Sequence, residues 1–255
     1  MKVLAITQAR VGSSRLPAKV LKPVGKQTLL DLHLQRVAGS RLIDQLIVAT
    51  TTETGAEKIA AIAQQNGVEV FFGSLNDVLD RFYQAALKYK PDYVVRLTSD
   101  CPLLDPQLID DVITFALAQQ LDYVSNTLSP TFPDGQDIEV FRFAALEKAW
   151  QEATLLSDRE HVTPYIWKNS TFYQKTIFTS ANFSGPENFS EVRLTVDEPG
   201  DLMTICALVE RLGAAAGWKA YVTYYLTHPN IVKNGSLLRN EGYTKSLLQD
   251  TKQNL

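Results

Sequence analysis

Cysteine is nearly absent: Cys101 and Cys206 are the only two in 255 residues. Their separation matches no zinc-site spacing and builds no disulfide framework, so a reducing compartment, the cytoplasm, is expected. Long hydrophobic runs are missing too. The start, MKVLAITQAR, holds too few apolar residues for a signal-peptide core, and no later run has the length to span a bilayer. Positive charge is not in excess, because 25 Lys+Arg stand against 28 Asp+Glu for a net charge of −3. That excludes a broad basic face for nucleic acid, so any anion site must be local. Neither G-x-x-x-x-G-K-[ST] nor G-x-G-x-x-G occurs, which excludes the Walker loop and the dinucleotide fingerprint. No internal repeat or low-complexity tract is found. Of the histidines, His33 and His228 read as structural or exposed, and none is an obvious general base.

What is present is an ordinary globular composition, 45% hydrophobic and 21% charged, in which apolar β-rich runs alternate with helical patterns. Val3–Ile6, QLIVATT, VEVFFG and DYVVRLTSD read as strands. TLLDLHLQRVAGS, GAEKIAAIAQQNG (closed by Gly67), NDVLDRFYQAALKYK (capped by Asn76) and DPQLIDDVITFALAQQ (Pro106 in its first turn) read as helices. The alternation with short connections predicts an α/β fold, a doubly wound and mostly parallel sheet covered on both faces. After Gln120 the rhythm changes. DYVSNT and QDIEVFRF read as strands around the turn PTFPDG, followed by helices at 144–153 and 157–168, so residues 121–190 form an antiparallel and helical excursion. EVRLTVD returns to a strand and EPGDLMTICALVERLG to a helix. Residues 1–217 thus make the main domain, and 218–255 a C-terminal helix with a partly disordered polar tail.

TQARVGSSRLPAK (residues 7–19) follows the first strand, at the sheet edge where doubly wound folds bind ligands. Backbone N–H groups around Gly12, Ser13 and Ser14 suit an anion nest, and Arg10, Arg15 and Lys19 suit the counter-charge to a triphosphate; a solvated basic turn is the plain alternative. Asp100 ends a strand in RLTSDCPLLDP, and Asp197 does the same in LTVDEPGD. Two carboxylates facing that loop suit Mg²⁺ on nucleotide phosphates, while Glu198 and Asp201 read as caps of the next helix. Cys101 reads as a small core residue. Ser74 and Arg81, in GSLNDVLDRF, fit contacts to base or ribose, but a helix cap with an Asp77–Arg81 ion pair explains them equally well. Gln136, Asp137 and Glu139 fit an acceptor's hydroxyls or amine, or a polar strand edge. Arg159, Glu160 and His161 sit in the first turn of a helix, where a structural ion pair is the commoner outcome.

These motifs resemble the sugar cytidylyltransferases, the enzymes that activate 3-deoxy-manno-octulosonate and sialic-type acids. TQARVGSSRLPAK matches their N-terminal signature. GSLNDVLDRF, LTSDCPLLDP, PDGQDIEVF, REHVTPYI, RLTVDEPGDL and NEGYTKSL match the spore-coat-polysaccharide subgroup. The resemblance implies CTP as donor, a sugar acid or related acceptor, and magnesium on Asp100 and Asp197. It implies a base read by backbone near Thr7–Ala9, which brings in Gln8 and Ala9, and an acceptor site that includes Arg159 and His161. The first strand ends TQAR where the sialic-type enzymes have IPAR, which puts a polar Gln8 in the base site. It also implies a homodimer through the aromatic-rich excursion, or that segment as an acceptor lid. A metal-dependent glycosyltransferase is disfavoured because SDCPLLD offers no D-x-D. A non-catalytic nucleotide binder is disfavoured because both carboxylates are kept.

Overall fold

The computed structural model describes residues 1–13, 15–235, 237 and 239–253. The first strand, β1 (Val3–Gln8), is apolar and buried along almost its whole length, as a parallel strand covered on both faces must be. Two short strands, β2 (Pro23–Val24) and β3 (Gln27–Thr28), form a hairpin on the way to α1 (Leu29–Val37). The hydroxyl of Thr28 and the carboxylate of Asp31 cap α1 reciprocally. Then come β4 (Gln45–Thr51), α2 (Ala56–Gln65), β5 (Glu69–Gly73), α3 (Val78–Tyr89), β6 (Tyr93–Thr98) and α4 (Pro106–Gln119). Asp77 caps α3, in place of the expected Asn76; its carboxylate reaches the N–H of Asp80. Pro106 opens α4 as expected, behind the Asp105 cap.

The excursion supplies β7 (Tyr123–Ser125), β8 (Glu139–Arg142), α5 (Phe143–Glu152), α6 (Leu156–His161), α7 (Pro164–Lys168) and β9 (Ser180–Asn182). The chain closes with α8 (Pro199–Leu212), α9 (Trp218–Thr227) and α10 (Glu241–Gln253). The seven-stranded sheet has the order β5-β4-β1-β6-β8-β7-β9. β5, β4, β1 and β6 run parallel, and β8 is antiparallel to both of its neighbours. Side chains of β1 alternate between two cores. Leu4 and Ile6 pack with α3 and α5, while Val3 and Ala5 pack with α4. The doubly wound expectation therefore holds.

Three local expectations change. The single helix over 157–168 is two, α6 and α7, broken at Val162, whose φ of 73° and ψ of −57° form a γ-turn in which the Thr163 N–H donates to the His161 carbonyl at 2.9 Å. EVRLTVD is extended but joins no sheet, because it lies along the 134–136 loop, touching it as an isolated bridge between Asp134 and Arg193. The polar tail is largely helical and lies against α6. No helix among the described residues is long and apolar enough to cross a membrane.

Candidate active site

The chain lays β4 and β5 to one side of β1, then crosses back to place β6 on the other. Such a reversal opens a crevice at the carboxyl ends of the strands. Gln8 pairs with Thr98 there, and a cleft of about 610 Å³ lies beyond them. It is lined by Gln8, Ala9, Arg10, Gly12, Ser13, Arg15 and Lys19 of the first loop, by Arg81 of α3, and by Asp100, His161 and Asp197.

Lys19 stands at its centre. Its ammonium donates to Asp100 at 2.8 Å, to Asp197 at 3.0 Å and to the Val196 carbonyl at 3.0 Å. Burial works against both charged partners, yet they sustain each other. The two carboxylates raise the Lys19 pKa, and Lys19 holds the Asp100 carboxyl well below the usual carboxylate range. Arg15 pairs with Asp197 at 2.9 Å and with Glu241 of α10 at 3.4 Å. Arg193 braces the floor, reaching Asp134 at 2.6 Å, Asp197 at 2.8 Å and Asp201 at 3.0 Å. Asp201 also accepts the N–H groups of Asp197 and Glu198 and so caps α8, as expected.

His33 fixes the Asp100 turn from beneath. Its Nδ1 lies 3.0 Å from the Cys101 carbonyl and its Nε2 lies 2.9 Å from the Thr7 hydroxyl. A carbonyl only accepts, so Nδ1 carries the proton and Nε2 accepts from Thr7. Burial, which disfavours the charged ring, pushes its pKa down to about 4.

Arg81 carries a different signal. Its guanidinium is buried and donates to the Ser74 carbonyl at 2.7 Å; among the described residues it bonds no carboxylate and its Nε has no partner. Burial, then the charge of nearby Arg10, lower its pKa to about 10. Arg10 is exposed and makes no ion pair among the described residues. Glu53 is near enough to raise the Arg81 pKa in part, but neither cation bonds a carboxylate among the described residues, and two such cations facing a cleft suit an anion. The expected Asp77–Arg81 pair is not formed, because Asp77 bonds Arg159 at 2.7 Å instead.

The model of the cytidylyltransferase family matches residues 4–225. The chain belongs to this family. The spore coat polysaccharide biosynthesis protein SpsF of Bacillus subtilis is 35% identical over 223 residues, which are 83% of this chain and 88% of that protein. A 3-deoxy-manno-octulosonate cytidylyltransferase of Geobacter metallireducens is 32% identical over 113 residues, 44% of each chain. The solved structure of a cytidylyltransferase from Leptospira borgpetersenii superposes with a TM-score of 0.87 at 34% identity, covering 94% of this chain and all of that one.

In this cytidylyltransferase two smaller hollows adjoin the main cleft. One, of about 360 Å³, has Arg96, Asp137, Glu139, Thr163, Trp167, Tyr173 and Tyr243 in its walls. The other, of about 200 Å³, has Asp134, Asp137, Arg193 and Tyr243. His161 lines all three spaces. Burial, then the neighbouring Asp137, push the Asp134 carboxyl up to about 7.

Other residues expected at the site lie elsewhere. Gln136 is fully buried, donating its amide to the Leu103 carbonyl at 2.7 Å and accepting from the Asp105 N–H at 2.9 Å. It ties the 134–137 loop to the start of α4 and lines neither of the two smaller hollows. Arg159 is turned to Asp77 and to the carbonyls of Trp150 and Ala153, where it locks α6 to α3. Ser74 takes the Asp77 N–H and Arg81 on its own turn. Ser14 lies outside the described residues. Near Thr7–Ala9 the Ala9 N–H is bonded to Ala49 and the Gln8 carbonyl to Ser99, so those two groups are engaged within the sheet.

Several residues of the site escaped the sequence reading: Asp134, Arg193, Arg96, Glu241 and Tyr243. The available signal was the clustered charge of PDGQD and RNEGY, which lie outside the periodic segments; Arg96 and Arg193 sit inside runs read as strands, where nothing set them apart.

Asp100 and Asp197 both bond one ammonium, so their oxygens converge on a common point. Oxygen donors of this kind suit Mg²⁺, which keeps water and phosphate as its remaining ligands. Among the described residues no group of three or more His, Cys, Asp or Glu is arranged to hold a metal ion by itself.

Proposed function

We propose that this protein transfers CMP from CTP to a sugar acid and releases pyrophosphate, with Mg²⁺ held by Asp100 and Asp197 when the triphosphate is bound. The observation that carries the reading is the meeting of Lys19 with both carboxylates in a cleft also lined by Arg10 and Arg81, which bond no carboxylate among the described residues. The acceptor class is supported by the names of the two relatives, one in spore-coat polysaccharide synthesis and one acting on 3-deoxy-manno-octulosonate.

The acceptor hydroxyl attacks the α-phosphorus, a new P–O bond forms, the bond to the oxygen bridging to the β-phosphate breaks, and the hydroxyl proton passes to solvent as pyrophosphate leaves. Bound Mg²⁺ would neutralise charge on the phosphates. Arg10 and Arg81 attract the triphosphate. Arg15 and Lys19 stand between the carboxylates and the loop, so each can exchange a carboxylate oxygen for a phosphate oxygen as charge moves to pyrophosphate. Positioning and charge neutralisation supply most of the acceleration in such a transfer. The nucleotide-sugar glycosyltransferase reading falls away with the family assignment.

The reading includes cytoplasmic placement, in keeping with two free cysteines, and a homodimer, in keeping with exposed Phe172, Tyr173 and Ile177 on the excursion. The test is a pyrophosphate-release screen of sugar acids against each of the four nucleoside triphosphates. Release with CTP and at least one sugar acid, abolished by chelator and restored by Mg²⁺, is expected. No release from any CTP pair rejects the activity; full turnover in chelator rejects the metal.

A further inference from the structure

His161 is held by a relay that spans two helices and is unusual in its directionality. Its Nε2 lies 3.0 Å from the hydroxyl of Ser246 on α10, and that hydroxyl lies 2.6 Å from the carboxylate of Glu160 on α6. Ser246 has one proton, and its other contact is the Gly242 carbonyl at 3.2 Å. Carboxylate and carbonyl oxygens only accept, so the Ser246 proton points at one of them and its oxygen must accept from the ring. Nε2 therefore carries the imidazole proton. Burial, then the charge of Arg96, lower the His161 pKa to about 4, so the ring is neutral at neutral pH and Nδ1 is left as a lone-pair acceptor. Nδ1 has no hydrogen-bond partner among the described residues, and it is not a buried atom. The backbone adds a second constraint, for the γ-turn at Val162 is a strained conformation that the fold retains directly after His161.

We propose that Ser246 and Glu160 are positioning residues for the transfer reaction: they fix His161 as the Nε2–H tautomer so that its Nδ1 accepts a hydrogen bond from a hydroxyl of the acceptor. The placement supports this, since His161 is shared by the nucleotide cleft and both hollows beside it. The ring is also braced edge-on by Tyr243, with centroids 5.3 Å apart, and Tyr243 packs on Trp167 at 5.7 Å. The C-terminal helix thereby belongs to the acceptor site. The proposal rests on the transfer reaction proposed above, in which these hollows take the acceptor.

Nitrogen NMR of ¹⁵N-histidine-labelled full-length protein tests it directly. Only three histidines occur, and loss of one set of signals in His161→Gln assigns the ring. The wild type is expected to show a protonated Nε2 and an unprotonated Nδ1, with the Nδ1 signal shifting when the best sugar acid of the screen is added with CTP. Ser246→Ala is expected to give a mixture of tautomers and to raise the acceptor KM about five- to tenfold, the loss of one oriented hydrogen bond, with the CTP KM unchanged. Ser246→Thr, which keeps the hydroxyl, restores both. Glu160 is half exposed, so Glu160→Ala folds and loosens the tautomer without touching the core. A protonated Nδ1 in the wild type, or a Ser246→Ala variant with unchanged tautomer and acceptor KM, overturns the proposal. If no sugar acid is turned over, the proposed activity is what fails, and the tautomer in wild type and Ser246→Ala still upholds or overturns the relay.

Discussion

Asp197 is touched by three cations, Arg15, Lys19 and Arg193, whereas Asp100 is bonded by Lys19 alone among them. Removing either charge should nonetheless have a similar effect on turnover, because two oxygens from different segments must meet at one point. Asp100→Asn and Asp197→Asn are each expected to lower kcat by orders of magnitude with the melting temperature kept, since charge stabilisation worth several kcal/mol is lost. Steady-state pyrophosphate release beside a thermal melt checks this, and full activity in both variants rejects the assignment. For the cations, Arg15→Ala and Lys19→Ala should each weaken CTP binding roughly tenfold, the worth of one charge-assisted hydrogen bond. The deficit should shrink in high salt, where part of the attraction is already screened. Arg15→Lys should remain defective, because an ammonium cannot reproduce the two-pronged grip by which Arg15 now spans Asp197 and Glu241. A direct titration with unchanged affinity would mean that the loop is only a solvated turn.

Among the elements, the 134–137 loop and α10 each send a side chain to both smaller hollows, Asp137 from the one and Tyr243 from the other. Gly135 has a φ of 106°, and a Cβ there would come within 2.5 Å of the Leu194 backbone. That close approach lets Asp134 bond both Val192 and Leu194 along the main chain and brings Asp134 to Arg193. Gly135→Ala is therefore expected to cost more than about 2 kcal/mol, from positive φ plus backbone overlap, and to lower the melting temperature by several degrees. An unchanged melt would show that the loop can move aside without loss. The helix α10 contributes Glu241 to Arg15 and Ser246 to His161, and it packs on α6 outside the main hydrophobic clusters. Deleting residues 241–255 should leave the parallel sheet folded by circular dichroism and impair acceptor use more than CTP binding. Equal loss of both would show that α10 serves general stability instead.

At the level of the whole molecule, pH and association can both be followed. His33 is neutral and buried with a folded pKa of about 4, against an ordinary value of 6.5. The unfolded chain therefore takes up this proton first as pH falls. The stability contributed is complete above pH 6.5 and is lost between 6.5 and 4, roughly 3 kcal/mol in all. His161, lowered to about 4 as well, adds to the same slope. Asp134, raised to about 7, works in the opposite sense over the same range, so the test is the difference between two proteins: in urea melts, wild type should gain stability relative to His33→Gln as pH rises from 4 to 6.5. An identical slope in the variant would assign the effect to other groups. Most of the excursion's aromatics are not free to form a subunit contact, since Phe141, Phe143, Trp150, Tyr165, Trp167 and Phe178 pack into the core shared with α3. Phe172 and Tyr173 remain exposed. Light scattering at micromolar concentration should give twice 28.4 kDa if they meet a second copy, and 28.4 kDa if the chain acts alone.

The sequence by itself determined the α/β class, the parallel core and the first loop. Those follow from local periodicity: buried strands such as VLAITQ read as continuous apolar runs, and amphipathic helices with Thr28, Pro106 or Gly67 at their ends declare their own limits. It also placed Arg10, Arg15, Lys19 and Asp100 just after strands, and the crossover between β1 and β6 brings those strand ends to one edge without further information; Asp197, read as a strand end too, reaches the same cleft from an extended segment that joins no sheet. Tertiary structure alone decided which charges reach the cleft. Gln136 and Asp137 are neighbours in sequence, yet one is buried against Leu103 and the other lines the hollow beside the cleft. Arg159 and His161 are two residues apart on α6 and face opposite partners, Asp77 and Ser246. The reason is physical. A polar side chain in an irregular segment carries no periodic signal, and its role is set by which partner, often a hundred residues away, satisfies its hydrogen bonds when the chain closes.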